Sequence, residues 1–203
     1  PNIGPRSPYS ELILISDGGG DLAMMDFAAT NQYQGNLLLA SGPTSADMDA
    51  VVELNDVVYV VADGIMNRFD TLQSRWLSPK FIGDEINHMI TDGTYIYLAG
   101  ENSGAHKLNS TGTILQTWDT TSGLASNSVQ RIAVSGNYII TINSNTAISI
   151  IDSVTNSISV YDSSNQLTSS GLTDVAAYGD TVYIATIDIG LARFDLTNQA
   201  FLA

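Results

Sequence analysis

Arg131-Ile132-Ala133-Val134, a Gly136-Asn137 turn, Tyr138-Ile139-Ile140-Thr141-Ile142, Ala147-Ile148-Ser149-Ile150-Ile151-Asp152 and Ser157-Ile158-Ser159-Val160-Tyr161 follow one another in the middle of the chain. Each run is four to six residues of β-branched and aromatic type, bounded by Gly, Asn, Asp or Ser, which is the composition of short strands joined by tight turns. The same order of four runs recurs along the sequence. Second runs elsewhere are Val57-Val58-Tyr59-Val60-Val61, Tyr95-Ile96-Tyr97-Leu98-Ala99 and Thr181-Val182-Tyr183-Ile184-Ala185. Third runs close on Asp26, Asp70, Asn109, Asp152 and Asp195, spaced by 44, 39, 43 and 43 residues. No segment keeps helical apolar spacing over three turns.

Four strands per repeat of about 43 residues predict an all-β chain built as a β-propeller of four-stranded antiparallel blades. An isolated four-stranded sheet with two apolar faces has nothing to bury them against, so blades stack around an axis. The units fall at about 49–79, 87–119, 130–163 and 174–203, with a partial unit at 11–41 that offers only its last three strands. About five blades are therefore expected across residues 1–203. Residues 1–10 begin without methionine and run directly into an apolar strand, and the expectation is one domain, or a fragment of a larger propeller of six to eight blades. Trp76, Trp118 and Tyr161, spaced by 42 and 43, are expected to pack between blades from the outer strands.

The chain has 203 residues and a formal charge of −14 from 21 acids and 7 bases. So few Lys and Arg argue against binding a phosphate backbone, so nucleic acid is not expected as a partner. There is no cysteine, which excludes disulfides, thiolate metal sites and cysteine nucleophiles. A hydrophobic content of 44% is too high for a disordered acidic tail, and no apolar run reaches the roughly 20 residues of a membrane helix, so membrane insertion is not expected.

Candidate ligand residues follow from the architecture. Loops entering the first strand, and those joining second to third, share one face at the mouth of the channel. Just before the apolar part of each first strand stand Ala50, His88, Arg131 and Asp174, varied in chemistry while their neighbours stay apolar. Drift of solvent-facing loop ends gives the same pattern, and both readings stay open. The second-to-third-strand loops carry Asp17 with Gly18-Gly19-Gly20, Asp63 with Gly64, Glu101 with Gly104 and Asp188 with Gly190. A ring of carboxylates fits Ca²⁺ or a cationic ligand, but Asp and Gly favour such turns for conformational reasons alone. No Asp-x-Asp-x-Asp-Gly run is present, so no cofactor is expected and Ca²⁺ is the one ion the pattern would suit. Asp26, Asp70, Asn109, Asp152 and Asp195, at the opposite face, are expected to bond the backbone amides of the turn that follows.

Catalytic signatures are missing. His88 and His106 fall on different strands of one blade, and no Gly-x-Ser-x-Gly elbow, phosphate loop or dinucleotide fingerprint occurs. Asn109-Ser110-Thr111 is an acceptor sequon at a turn, a short pattern that fits an extracellular address.

The run Gly123-Leu124-Ala125-Ser126-Asn127-Ser128-Val129-Gln130-Arg131-Ile132-Ala133 resembles the propeller repeats of two-component-regulator sensors and related secreted microbial proteins, in which Gly-Leu-x-Ser-Asn-x-Val precedes each inner strand. Gly171-Leu172-Thr173-Asp174-Val175 and Gly190-Leu191-Ala192-Arg193-Phe194-Asp195 echo it, whereas Pro43-Asp49 and Pro79-Glu85 lack the Gly-Leu pair. The resemblance implies a ligand-sensing propeller outside the cell, with no shared catalytic residues. The expected function is a non-enzymatic binding or interaction propeller, extracellular or at the cell surface, with a protein or glycan partner and further domains of the same chain as candidate neighbours. Two alternatives stand beside it: a polysaccharide hydrolase or lyase using acids with His88 or Arg131, and a structural module of a surface layer or filament.

Overall fold

The computed structural model describes residues 12–16, 22–26, 33–36, 43, 45, 47–169 and 171–202. It is all-β: nineteen strands and no helix among the described residues. Strands β1 (Leu12–Ser16), β2 (Leu22–Asp26) and β3 (Tyr33–Asn36) form a three-stranded antiparallel sheet. Four four-stranded meanders follow. They are β4–β7 (Ala50–Leu54, Val57–Ala62, Ile65–Asp70, Arg75–Phe81) and β8–β11 (Ile86–Thr91, Ile96–Gly100, Ala105–Leu108, Ile114–Trp118). After them come β12–β15 (Val129–Ser135, Tyr138–Asn143, Ala147–Asp152, Ile158–Tyr161) and β16–β19 (Leu172–Tyr178, Thr181–Thr186, Leu191–Asp195, Ala200–Leu202). The four-stranded sheets span 50–81, 86–118, 129–161 and 172–202, where full units are expected at 49–79, 87–119, 130–163 and 174–203, and the three-stranded sheet falls within the partial unit expected at 11–41. Asp17 and residues 1–10 lie outside the described residues.

Successive sheets meet through their first strands, β4 against β8, β8 against β12 and β12 against β16. Between them lie apolar layers. Tyr59, Val61 and Met66 meet Met89, Ile96, Leu98 and Leu108 at the first junction. Tyr97, Ala99, Ala105 and Trp118 meet Ile132, Ile139 and Ile151 at the second. Ile140, Ile142, Ile148 and Tyr161 meet Val175, Val182, Ile184 and Phe194 at the third. Burial on both faces explains why the second strands β5, β9 and β13 are apolar at nearly every position rather than alternating. Each large side chain so buried contributes roughly 1.5–3 kcal/mol. The sheets are blades in series, and no closed ring is detected among the described residues.

The aromatic spacing is only partly honoured. Trp118 stands opposite Ala105 and Tyr161 opposite Ile148, on the side of each sheet that meets the next. Trp76 instead stands opposite Phe69, stacked edge-on at 5.2 Å, on the other side of its sheet with Val58 and Val60. A register shift between Met66 and Arg68 moves it, and Lys80 takes the place opposite Met66 that the Trp118 and Tyr161 spacing predicts for an aromatic.

The third-strand acids bond the turns as expected. Asp152 Oδ1 accepts the amides of Val154 (2.8 Å) and Thr155 (3.3 Å), and Asp195 Oδ1 those of Thr197 and Asn198. Asn109 Oδ1 accepts from Thr111 and Thr113, and Asp70 Oδ1 from Gln73. Of Asp26 only its place at the end of β2 is described.

Candidate channel-mouth site

Three of the four first strands begin with the same irregularity. One extra residue enters the ladder between Ile86 and His88, between Val129 and Arg131, and between Leu172 and Asp174. Asn87, Gln130 and Thr173 are the inserted residues. A β-bulge bends its strand and re-aims the side chains beside it, and bulges recur at strand ends for that purpose. β4 has none: Ala50 pairs with Val61 in unbroken register.

His88 bonds to β12 and Arg131 reaches Asp174 on β16, so the three residues form a row across β8, β12 and β16. His88 Nδ1 accepts the amide of Ile132 at 3.3 Å, the residue after Arg131. Arg131 Nε lies 3.7 Å from Asp174 Oδ1, with the two side chains 38% and 68% exposed. Burial, and then the Arg131 charge, hold His88 below the ordinary imidazole range, against a smaller opposing pull from Asp174. His88 is thus a neutral acceptor near pH 7, beside a half-exposed cation and an exposed anion.

Two of the inserted residues, Asn87 and Gln130, converge on Glu101. Its carboxylate accepts from Asn87 Nδ2 (2.6 Å), Gln130 Nε2 (3.1 Å) and Ser128 Oγ (3.2 Å), and Asn87 also donates to the Val129 carbonyl. Glu101 therefore ties two sheets together at the mouth, and Asn87, Ser128 and Gln130 belong to the site although their residue types alone did not mark them. The other acids stand apart. Asp63 is exposed in a two-residue turn at φ 50°, and Asp188 accepts from buried Ser169 at 2.5 Å. No three acids or histidines among the described residues gather as metal ligands. Asp63, Glu101 and Asp188 are placed by turn and junction bonds rather than as a ring around one ion.

A second polar chain is buried in the same sheet. Asp84 accepts from the amides of Asn102 and Ser103 (both 2.9 Å), from Asn102 Nδ2 and from Ser103 Oγ at 2.5 Å. Burial pushes this carboxyl up, but those four bonds outweigh it and hold it below the usual carboxylate range. With its one proton committed to Asp84, Ser103 Oγ accepts from His106 Nε2 (2.8 Å), and His106 Nδ1 accepts from Thr117 Oγ1 (2.9 Å). Serine sits between acid and imidazole, an order that differs from a hydrolytic triad, whose histidine lies in the middle. Burial depresses His106 as well. Gly100 makes room for it, since a Cβ there would stand 2.5 Å from Asp84 Oδ2.

The Gly-Leu-x-Ser-Asn run is the crossover from β11 to β12. Gly123 adopts φ 114°, Leu124 is buried in the second junction, and the Asn127 carbonyl accepts the Gly104 amide at 2.9 Å. Two clefts flank the row. One, of about 430 Å³, is lined by small hydroxyl and amide residues including Ser126, Asn143, Ser144 and Ser164. The other, of about 340 Å³, lies among Asp63, Phe81, Asp84 and Glu85.

No protein-family model matches the chain. No curated protein matches it either. Its similarities are to solved structures. The computationally designed protein Ika8 superimposes with a TM-score of 0.74 at 17% identity, over 94% of this chain and 57% of that one. The chain thus spans little more than half of Ika8. The designed protein Ika4 gives 0.63 at 17% identity, over 77% of this chain and 94% of that one. The extracellular domain of a hybrid two-component system from B. thetaiotaomicron gives 0.61 at 18% identity, over 76% of this chain and 24% of that one. Identities this low establish the shared blade-like fold and nothing finer. No helix among the described residues is long and apolar enough to cross a membrane.

Proposed function

We propose that this chain is a non-enzymatic binding module, extracellular or at the cell surface, that holds a protein or glycan partner at the channel mouth. The observation carrying this reading is the row His88, Arg131 and Asp174, set by bulges at equivalent places on three consecutive strands. A neutral acceptor, a cation and an anion in sequence suit a neutral polar ligand that offers both donors and acceptors, such as a sugar hydroxyl array or a peptide backbone. The Arg131–Asp174 contact at 3.7 Å is long for a hydrogen bond, so each group keeps capacity for a ligand. The Ser103–His106 order supports a role without a nucleophile at that place. The extracellular domain of a hybrid two-component system among the similar folds agrees with the address.

Glycan and peptide arrays probed with the wild-type chain and with Arg131→Gln test the reading. Binding to a restricted ligand set that Arg131→Gln weakens at least ten-fold supports it. Binding unchanged by the substitution, or none on either array, contradicts it.

A further inference from the structure

The turn from β10 to β11 carries Asn109-Ser110-Thr111, the single Asn-x-Ser/Thr pattern in the chain. Such a pattern is a modification signal where the fold leaves the asparagine amide at the surface. In the aligned turns Asp26, Asp70, Asp152 and Asp195 stand where Asn109 stands, so Asn109 alone of the five brings a side-chain nitrogen. The turn itself needs only an oxygen. Asp152 Oδ1 accepts the amides of Val154 and Thr155, and Asn109 Oδ1 those of Thr111 (3.0 Å) and Thr113 (2.9 Å). Thr111 Oγ1 donates to the same Asn109 oxygen at 2.7 Å, which holds the hydroxyl of the pattern beside the amide. Among the described residues Asn109 Nδ2 donates to no protein atom, and it is not one of the buried atoms left without a partner, so it meets solvent. Ser110 and Thr111 are exposed. The preceding sheet anchors the turn through backbone only: Tyr59 Oη donates to the Ser110 carbonyl, and Arg68 Nη1 to the Thr111 carbonyl at 2.8 Å. That anchoring leaves Nδ2 open.

We propose that Asn109 is an N-glycosylation site. The donor is a lipid-linked glycosyl diphosphate, acted on by a transferring enzyme outside the cytoplasm. Transfer forms a bond from Asn109 Nδ2 to the anomeric carbon of the sugar and breaks the bond from that carbon to the diphosphate oxygen. The diphosphate leaves with the lipid, and one Nδ2 proton passes to a base of the enzyme. The inference rests on the extracellular address proposed above and not on the channel-mouth row. In the antiparallel meander β8–β11, the β10–β11 turn lies at the end of the strands opposite His88, so a glycan there leaves the mouth open.

Tandem mass spectrometry of the full chain purified from its own organism is the test. Trypsin releases the site in one peptide, Leu108–Arg131. Wild type is expected to carry sugar residues on this peptide, attached at Asn109. Asn109→Asp keeps the turn oxygen that Asp70, Asp152 and Asp195 supply elsewhere, and is expected to lose the sugar with an unchanged far-ultraviolet circular dichroism spectrum. Thr111→Ala keeps both amide bonds to Asn109 and is expected to lower occupancy at least ten-fold, whereas Thr111→Ser retains it. Should Asn109→Asp lose its β spectrum, the Thr111 pair decides alone. A bare Asn109 in wild type overturns the proposal, as does sugar that survives Asn109→Asp or Thr111→Ala. Fractionation of the same cells separates the two readings: a bare Asn109 on a chain recovered outside the membrane overturns the glycosylation alone, and on a chain retained inside it overturns the address as well.

Discussion

Arg131 and Asp174 stand 3.7 Å apart across the junction of β12 and β16, each the first residue after a bulge in its own strand. The pair joins two consecutive blades at the start of their first strands while remaining largely in water. Solvent screening and side-chain entropy leave exposed pairs worth about 0–1 kcal/mol. Arg131→Gln is therefore expected to change the urea unfolding free energy by less than about 1 kcal/mol. A loss of several kcal/mol would make the pair a structural clamp rather than a ligand-facing feature.

Asp84 should behave in the opposite way. It is buried and accepts four hydrogen bonds, two of them from backbone amides. Asp84→Asn turns an NH₂ toward those donors, and removing the charged partner of a buried network costs about 2–4 kcal/mol. The pH dependence follows. Its folded pKa lies below the ordinary value, so its stabilisation is complete above about pH 4 and is lost as pH falls through the folded value. Unfolding curves between pH 5 and pH 2 should slope less steeply for Asp84→Asn than for wild type.

Gly104 is a tighter constraint than most glycines of the chain. Its φ is 89°, and a Cβ would stand 2.0 Å from the Trp118 carbonyl oxygen. Gly136, at φ 56° in the β12–β13 hairpin, has open space around it. Gly136→Ala is expected to cost about 1 kcal/mol for the left-handed backbone alone. Gly104→Ala should cost more than about 2 kcal/mol, because backbone must also move. Equal effects in thermal unfolding would refute the close approach at Trp118.

His88 makes junction strength sensitive to mild acid. Burial and the Arg131 charge depress its pKa, so the unfolded chain binds more protons in the window just below the ordinary histidine value of about 6.5. Its contribution is full above that value and is lost as pH falls toward the folded pKa, when protonation withdraws Nδ1 from the Ile132 amide. His88→Gln retains an acceptor that does not titrate. Urea unfolding from pH 7.5 to 5 should therefore fall less steeply in His88→Gln, with the remaining slope carried by buried His106.

Much of this architecture was legible in residue types because each strand is short, apolar and punctuated by its turn. Tyr138-Ile139-Ile140-Thr141-Ile142 reads as a doubly buried strand, and Asp152 and Asp195 read as turn acceptors, since both depend on local chemistry. The row His88, Arg131 and Asp174 was also visible, as varied residues at an aligned place. Its mechanism was not, because the bulges at Asn87, Gln130 and Thr173 leave no mark in composition. Trp76 misled for a related reason. A spacing of 42 residues matches Trp118 in number, but the shift beside Arg68 turns it to the opposite face. Asp84, Ser103 and His106 are distant in sequence and individually ordinary, and only the folded loop brings them into one chain. The small residues Gly100 and Gly104 around Ser103 were the available signal of a crowded loop.

The most direct test of the channel-mouth reading is two-dimensional amide NMR of the chain titrated with the tightest-binding component of the glycan and peptide arrays. The largest shifts are expected at Asn87, His88, Glu101, Gln130, Arg131 and Asp174. Shifts confined to the outer strands β7, β11, β15 and β19, with the mouth residues unmoved, would contradict it.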